Sequence, residues 1–246
     1  IFLASYCIFE IIKKEFGYDF KKFKYFAGHS LGEYSALACV GSISFEDTLK
    51  ILQKRGKFMQ EAVPSGEGAM LAVLGMASKE LDKILEMNNK KYKCFIANDN
   101  SNLQVVVSGL KKDINLLSDD LNNKKIKNLK LNVSAPFHCK YMKTASEKMT
   151  SYINDLNMND LEKPIISNVT ANETSSSREI KSLLISQIEK KVRWLESVEY
   201  MINNGVKNFV EIGPGKVLSG LIKRINKNVI VNSINSEEDI KLLTND

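Results

Sequence analysis

The chain has 246 residues, of which 43% are hydrophobic and 26% charged, and its formal net charge is +6. These proportions are those of an ordinary globular protein that can bury a sizeable core, which excludes general disorder and a small disulfide-stapled fold. No window approaches the roughly 18 uninterrupted apolar residues of a transmembrane helix, and the mild basic excess permits an acidic partner without requiring nucleic acid.

The first 66 residues alternate between helical and strand patterns. Ile8, Ile11 and Ile12 recur at helical spacing and predict an amphipathic helix over residues 1–16. The chain starts at Ile1 inside this apolar run, without the basic head of a signal peptide, so we expect a truncated chain. Further on, the patterns predict a short buried strand over 23–27 and helices over 33–40 and 45–62.

Residues 67–134 show a different order of elements. The patterns predict strands over 69–74, 94–97, 104–108 and 126–133, and helices over 78–87 and 110–121. Ser78 is the expected N-cap of the first of these helices. The order β-α-β-β-α-β is that of a ferredoxin-like fold, so we predict a subdomain at 67–134 that is inserted into the rest of the chain.

After residue 134 the helix and strand patterns alternate again. This alternation predicts a parallel sheet with helices on both faces, and we assign residues 1–66 and 135–246 to one α/β-hydrolase-like domain. The predicted elements are helices over 140–156, 179–189, 194–204 and 216–225, and strands over 164–169, 208–212 and 229–234.

A candidate nucleophile follows the predicted strand at 23–27. Residues 28–32 read Gly-His-Ser-Leu-Gly, which matches the G-x-S-x-G elbow, a sharp turn from strand to helix. We expect both glycines to leave room for the turn. Ser30 would then lie at a helix N-terminus, where the amide of Leu31 can stabilise an oxyanion.

A serine nucleophile requires a base, and the chain has two histidines. His29 adjoins the serine, and its ring cannot easily turn back toward Ser30. His138 is therefore the candidate base, and Pro136 is expected to stiffen the turn that holds its ring. Arg55 leaves two interpretations open: an exposed cation on a helix, or a guanidinium that binds a substrate carboxylate.

The cysteines are not arranged for zinc or for disulfides. Cys7, Cys39, Cys94 and Cys139 form no C-x-x-C pair, and two histidines are too few for a histidine-rich metal site. We therefore expect no metal centre and a reducing, cytoplasmic location.

Several motifs occur in a fixed order along essentially the whole chain. They lie at 28–37, 55–64, 68–70, 104–109, 136–138, 166–169, 193–194 and 211–221. Together they resemble the malonyl-CoA:acyl carrier protein transacylases, the acyltransferases of bacterial-type fatty acid synthesis. The family begins with a strand and a Gly-Gln-Gly-type loop that supplies a second oxyanion donor, and this sequence lacks that segment. Lys191 also stands where the family commonly has proline.

The resemblance implies a role for each matching residue. Ser30 would carry the malonyl ester, with Leu31 as oxyanion donor. His138 would act as base and then acid, oriented by a backbone carbonyl that we assign to Gln187. Arg55 would pair with the malonyl carboxylate. The remaining substrate-binding candidates are Met59 and Phe137 at the pocket wall, His29 beside the nucleophile, and Asn98 and Asn168, which would line the cleft or tie its loops.

The resemblance implies malonyl transfer from malonyl-CoA to the phosphopantetheine thiol of acyl carrier protein, without a metal or redox cofactor. Two alternatives stay open: a serine thioesterase or esterase, and a catalytically impaired relative that only binds. We expect a monomer that binds neither nucleic acid nor membrane. The expected docking cations for the acidic carrier protein are Lys140, Lys143, Lys190, Lys191, Arg193, Lys223 and Arg224.

Overall fold

The computed structural model describes residues 1–244, so the last two residues of the predicted 135–246 segment lie outside it. The helices of the described residues are α1 (Phe2–Lys14), α2 (Leu31–Cys39), α3 (Phe45–Gln60), α4 (Ser78–Met87), α5 (Lys111–Asn123), α6 (Lys143–Asn154), α7 (Ser177–Gln187), α8 (Trp194–Asn203), α9 (Val217–Ile225) and α10 (Glu237–Thr244). The strands are β1 (Phe26–Ala27), β2 (Gly68–Leu74), β3 (Cys94–Ser101), β4 (Gln104–Leu110), β5 (Asn128–Lys130), β6 (Ile165–Ile166), β7 (Glu173–Thr174), β8 (Asn208–Ile212) and β9 (Ile230–Ile234).

The chain divides into two compact units. The first comprises Ile1–Thr48, Asn157–Ile180 and the described residues from Glu196 onward, and the second comprises Leu49–Leu156 and Lys181–Leu195. The predicted domains, 1–66 with 135–246 and 67–134, follow the order of elements along the sequence, and they stay a prediction.

Parallel strand pairs form in the first unit, as the alternation of helices and strands predicts. β1 pairs with β6, and β8 pairs with β9 over five residues, both in parallel. β7, which the sequence did not indicate, adds to β6 in antiparallel orientation. Within the described residues these strands form two separate sheets, where one sheet was expected.

The core of the first unit includes the inner side of α1. Ile12 packs with Ile234, Ile240 and Leu243, and Ile8 lies at the edge of this cluster. Ile11, grouped with Ile8 and Ile12 at the sequence level, is instead 44% exposed, because its direction on the helix differs from that of Ile12 by about 100°. Within residues 1–244, no helix is both long enough and apolar enough to cross a membrane.

The second unit contains a four-stranded antiparallel sheet of order β3-β4-β2-β5. The order of elements from β2 to β5 is the predicted β-α-β-β-α-β. Leu71 and Val73 of β2 pack with Leu81 of α4 and Ile114 of α5 in one buried cluster, because alternate residues of a strand face the same side of a sheet.

Several predicted boundaries were wrong. Ser78 is the first residue of α4, and the N-cap is Ala77, which makes no side-chain capping bond. β3 extends to Ser101 through the predicted turn because it pairs with β4 up to Gln104. The strand predicted over 164–169 stops at Ile166, since the amide of Ser167 donates to the Asn172 carbonyl and closes a turn.

Candidate active site

Ser30 occupies a sharp turn between β1 and α2 in the first unit. β1 ends at Ala27 and α2 begins at Leu31, and Ser30 has φ +55° and ψ −105°. A positive φ is uncommon for a residue with a Cβ, and it persists only where the surroundings hold it. The predicted strand-to-helix elbow is therefore present, and Leu31 contributes the first amide of α2. The first amides of a helix have no acceptor within the helix.

The two glycines of the elbow have different roles. A Cβ on Gly28 would lie 2.0 Å from the carbonyl carbon of Gly32 and 2.6 Å from the Glu33 nitrogen. Only a glycine allows the strand end to approach the helix start so closely. A Cβ on Gly32 would meet nothing within 4 Å, so the expectation that the turn requires both glycines was wrong.

A buried asparagine side chain holds the elbow from both ends. The Ser30 amide donates to Asn168 Oδ1 at 2.7 Å, and Asn168 Nδ2 donates to the Gly28 carbonyl at 2.7 Å. The carboxyl ends of parallel strands meet at one edge of a sheet. Because β1 and β6 are parallel neighbours, the residues that follow them are brought together. Of the two expected roles for Asn168, the structure supports tying a loop.

Glu33 belongs to the same network, although it was not among the candidate site residues predicted from the sequence. Glu33 is 1% exposed, and its Oε2 accepts a hydrogen bond from the main-chain amide of Asn168 at 3.4 Å. A carboxylate in the first turn of a helix is favoured by the helix dipole. An acidic residue three positions after the proposed nucleophile was the available signal.

His138 lies in a second strained turn, in the second unit. Its φ is +58° and it is 4% exposed. Its Nδ1 lies 2.8 Å from the carbonyl oxygen of Gln187. Because a carbonyl can only accept, Nδ1 must carry the proton of the neutral ring, which leaves the lone pair on Nε2. Nε2 is therefore the atom that can take a proton.

The turn that carries His138 is packed against β2. A Cβ on Gly68 would lie 2.2 Å from Pro136 Cδ and 2.8 Å from the Cα of Ala135. The Cys139 thiol donates to the Pro136 carbonyl at 3.1 Å. In the sequence, the 68–70 motif indicated only the family resemblance. The structure shows that the absence of a side chain at Gly68 allows the turn before His138 to pack directly against β2.

Arg55 is buried, so the interpretation as an exposed cation was wrong, and its binding of a substrate carboxylate stays a prediction. It lies on α3, its exposed fraction is 6%, and its Nη2 donates to Gln187 Oε1 at 2.9 Å. A buried guanidinium is costly unless its charge is matched by partners. Gln187 thus has two contacts: its main-chain oxygen lies against His138, and its side chain accepts a hydrogen bond from Arg55.

The remaining candidates differ in what the structure shows of them. Met59 is 3% exposed and follows Arg55 by one helical turn on α3. Phe137 is half-buried against the cluster on the other face of the sheet, and the backbone of Asn98 forms a parallel bridge with Val192. His29 is half-buried beside Ser30. None of these positions by itself assigns a substrate contact.

A family model described as the acyl transferase domain matches residues 20–236. The chain belongs to the acyl transferase domain family. It is 43% identical over 221 residues to the malonyl CoA-acyl carrier protein transacylase of Bacillus subtilis (strain 168), a match that covers 88% of this chain and 69% of that protein. It therefore spans about seven tenths of that relative's length.

Solved structures of acyltransferases have folds similar to that of this chain. The acyl-carrier-protein-S-malonyltransferase of Bartonella henselae has a TM-score of 0.95 and 37% identity, with 99% of this chain and 78% of that one covered. A malonyl-transacylase in complex with a type II PKS acyl-carrier protein has a TM-score of 0.94 and 34% identity, with the same coverage. The predicted α/β fold is thereby confirmed, whereas the inserted status of the ferredoxin-like segment stays a prediction.

All four thiols of this acyl transferase domain are free. Burial raises the pKa of Cys39 and of Cys94 to about 12. Burial also raises the pKa of Cys139, next to His138. The thiols of Cys39, Cys94 and Cys139 therefore stay protonated at neutral pH and are poor nucleophiles. Within residues 1–244, no cluster of three or more His, Cys, Asp or Glu side chains could hold a metal ion.

Several of the expected docking cations already have partners inside the domain. Lys191 Nζ lies 3.8 Å from Asp99 Oδ2, and Asp99 is buried. Lys223 donates to the Val229 carbonyl at 2.6 Å. Lys140 is exposed, with its ammonium 4.7 Å from the ring centroid of Phe95. The other expected cations are Lys143, exposed with Glu147 at 3.8 Å, Lys190, exposed, Arg193, half-buried, and Arg224, exposed.

Proposed function

We propose that this chain transfers the malonyl group of malonyl-CoA to the phosphopantetheine thiol of acyl carrier protein through a malonyl ester on Ser30. One observation supports this proposal most directly: Gln187 contacts both a histidine and a buried arginine. A proton acceptor beside a carboxylate-binding cation is what transfer of an acyl group with a free carboxylate requires.

In the first half-reaction, Ser30 Oγ attacks the thioester carbonyl while His138 Nε2 takes the hydroxyl proton. The Leu31 amide, as the first amide of α2, stabilises the negative oxygen of the tetrahedral intermediate. The carbon–sulfur bond then breaks, and the CoA sulfur leaves with the proton from the imidazolium. The hydrogen bond from Nδ1 to Gln187 favours the charged ring while it holds the proton.

In the second half-reaction, the carrier thiol attacks the malonyl ester. His138 takes the thiol proton and returns it to Ser30 Oγ as the ester bond breaks. A thioester is consumed and a thioester is formed, so the reaction is readily reversible. No oxidation state changes, and His138 supplies the proton transfers. We therefore propose that no redox cofactor or metal is used.

The guanidinium of Arg55 distinguishes malonyl from acetyl groups in this proposal. The malonyl carboxylate pairs with Arg55, whereas an acetyl group offers no carboxylate. The loss of a hydrogen bond to a charged group costs about 1.5–3 kcal/mol, which corresponds to roughly 10-fold to 100-fold in selectivity.

The proposal also includes the partners and the location of the protein. Acyl carrier protein is the macromolecular partner, and the enzyme is a cytoplasmic monomer that binds neither nucleic acid nor membrane. Four free thiols fit a reducing compartment. Light scattering of the purified protein tests the monomer, because a dimer would double the molar mass.

Intact-protein mass spectrometry after incubation with malonyl-CoA tests the function. We expect an adduct of malonyl mass on the wild type and on Ser65→Ala, an exposed serine control, and no adduct on Ser30→Ala. Acyl carrier protein should then remove the adduct and become malonylated. A persistent adduct on Ser30→Ala would contradict the nucleophile, and release of free malonate in place of malonyl-carrier would indicate a hydrolase.

A further inference from the structure

Gln187 has two carbonyl oxygens that face different partners. It is fully buried at the last position of α7. The last carbonyls of a helix have no partner within the helix, so the main-chain oxygen can accept from His138 Nδ1 at 2.8 Å. The side-chain Oε1 accepts from Arg55 Nη2 at 2.9 Å. The two contacts are chemically independent, since a substitution at this position removes only the second.

We infer that the side chain of Gln187 determines selectivity for acyl groups that end in a carboxylate. This inference rests on the proposed function and adds a role to a residue whose main chain alone was assigned. The amide oxygen orients the guanidinium of Arg55 through a neutral acceptor. A neutral acceptor fixes the direction of the cation and adds no negative charge that would compete with the incoming carboxylate.

The charge of Arg55 explains why a neutral glutamine, and not a glutamate, suits position 187. A guanidinium stays charged at every accessible pH, and its fork of donors matches a carboxylate. A glutamate in place of Gln187 would have nearly the same shape and would occupy the fork as an ion pair. A methionine would fill similar space without a strong acceptor. These two substitutions therefore separate orientation from charge competition.

The experiment measures the second-order rate constants of Ser30 acylation by malonyl-CoA and by acetyl-CoA. For Gln187→Glu we expect the constant for malonyl-CoA to fall about 100-fold, mainly through weaker binding, and the constant for acetyl-CoA to fall much less. For Gln187→Met we expect a fall of about 10-fold with malonyl-CoA. Arg55→Ala sets the scale for complete loss of the cation.

A matched control is available on α3. Gln53 is exposed two residues before Arg55, and Gln53→Glu makes the same change of side chain and charge outside the buried contact. We expect its malonyl to acetyl ratio to equal that of the wild type. Thermal unfolding of every variant identifies loss of fold, which would lower both rate constants together.

Two failures are distinguishable. If wild-type Ser30 is not malonylated, the proposed function is wrong. If the wild type is malonylated but Gln187→Glu and Gln187→Met keep the wild-type ratio of the two rate constants, the side chain only fills space and the inference is overturned. Where acetylation of the wild type is too slow to measure, an unchanged KM for malonyl-CoA in Gln187→Glu overturns it equally.

Discussion

The two turns that carry the proposed nucleophile and base are built alike but held differently. Ser30 in the first unit and His138 in the second both have φ near +57°, at +55° and +58°. Each turn is held by a buried amide residue. Asn168 uses its side chain to bind main-chain atoms on both sides of His29. Gln187 uses its main chain and its side chain to bind two other side chains.

The difference reflects which part of each residue performs chemistry. A serine Oγ is placed by a single rotatable bond, so fixing the main chain around Ser30 limits the nucleophile to the few staggered rotamers of that bond. An imidazole is reached through two rotatable bonds, so the ring of His138 requires a contact of its own. The first turn therefore depends on packing and on hydrogen bonds to its main chain, and the second depends on packing together with a hydrogen bond to the ring.

The largest expected effect comes from Gly28→Ala in the first turn. The new Cβ would lie 2.0 Å from the backbone of Gly32. Main-chain atoms cannot move aside by a rotamer change, as the end of a flexible side chain can. We expect a stability loss of about 3 kcal/mol and a fall in Ser30 acylation on the order of 100-fold or more. Thermal unfolding and adduct formation by mass spectrometry measure both quantities.

Gly32→Ala is the matched control in the same turn. Its Cβ would meet nothing within 4 Å, and alanine is favoured over glycine in a helix by roughly 0.5–1 kcal/mol. We expect equal or higher stability with acylation retained. Equal damage from Gly28→Ala and Gly32→Ala would mean that close packing of the elbow does not decide its stability.

Gly68→Ala applies the same test to the second turn. The Cβ would lie 2.2 Å from Pro136 Cδ, and the turn would be displaced from β2. We expect a loss of about 2 kcal/mol and a fall in acylation of roughly 10-fold to 100-fold, since misplacement of a catalytic group by about 1 Å costs that much. Alkylation of the neighbouring Cys139 should become faster, as measured by peptide mass spectrometry.

Gly56→Ala is the control for the second unit. This glycine lies in α3 next to Arg55, and a Cβ there would meet nothing within 4 Å. Stability should rise by roughly 0.5–1 kcal/mol, with Cys139 as slow to react as in the wild type. Unchanged acylation in Gly68→Ala would show that the histidine turn does not depend on its contact with β2.

Asn168→Asp should have a smaller effect, because it preserves one of the two bonds to the elbow. A carboxylate can still accept from the Ser30 amide but cannot donate to the Gly28 carbonyl, and it brings a negative charge toward the buried carboxyl group of Glu33. We expect a loss of about 1.5 kcal/mol and roughly 10-fold slower acylation. Asn172→Asp, at an exposed position six residues after Ile166, should behave as the wild type.

The sequence predicted the local elements well and the pairing of strands less well. α4 and β8 begin and end where they were predicted, because hydrophobic periodicity is a local property. β7 and the separation of the first unit's strands into two sheets were missed. β1 and β6 contain two residues each, so their pairing depends on contacts from distant parts of the chain rather than on a pattern.

At the candidate site, motifs indicated which residues matter but not how they are held. Ser30 and His138 followed from an elbow and from the scarcity of histidines. Three contacts there join residues more than 60 positions apart: Arg55 with Gln187, Asn168 with Gly28, and Gly68 with Pro136. Contacts between such distant residues produce no regular spacing by which a single sequence could reveal them.

The smallest expected effect concerns the surface of the second unit, outside both turns. Lys140 and Lys190 are exposed, and they follow His138 and Gln187 by two and three residues. Lys191 is unsuitable for a test, because its reversal would place a carboxylate beside buried Asp99. We therefore expect Lys140→Glu with Lys190→Glu to slow association with acidic acyl carrier protein about 2-fold to 5-fold at low salt.

The measurement is the rate of malonyl transfer from acylated Ser30 to carrier protein as a function of ionic strength. The wild-type rate should fall as salt rises, because exposed charges are screened over about 10 Å at 0.1 M. The double variant should show a shallower dependence. Lys83→Glu with Lys90→Glu makes the same charge change at exposed positions on and after α4 and should keep the wild-type dependence. If both double variants lose the same fraction of the rate, net charge alone acts on the carrier protein. If neither differs from the wild type, docking uses other cations.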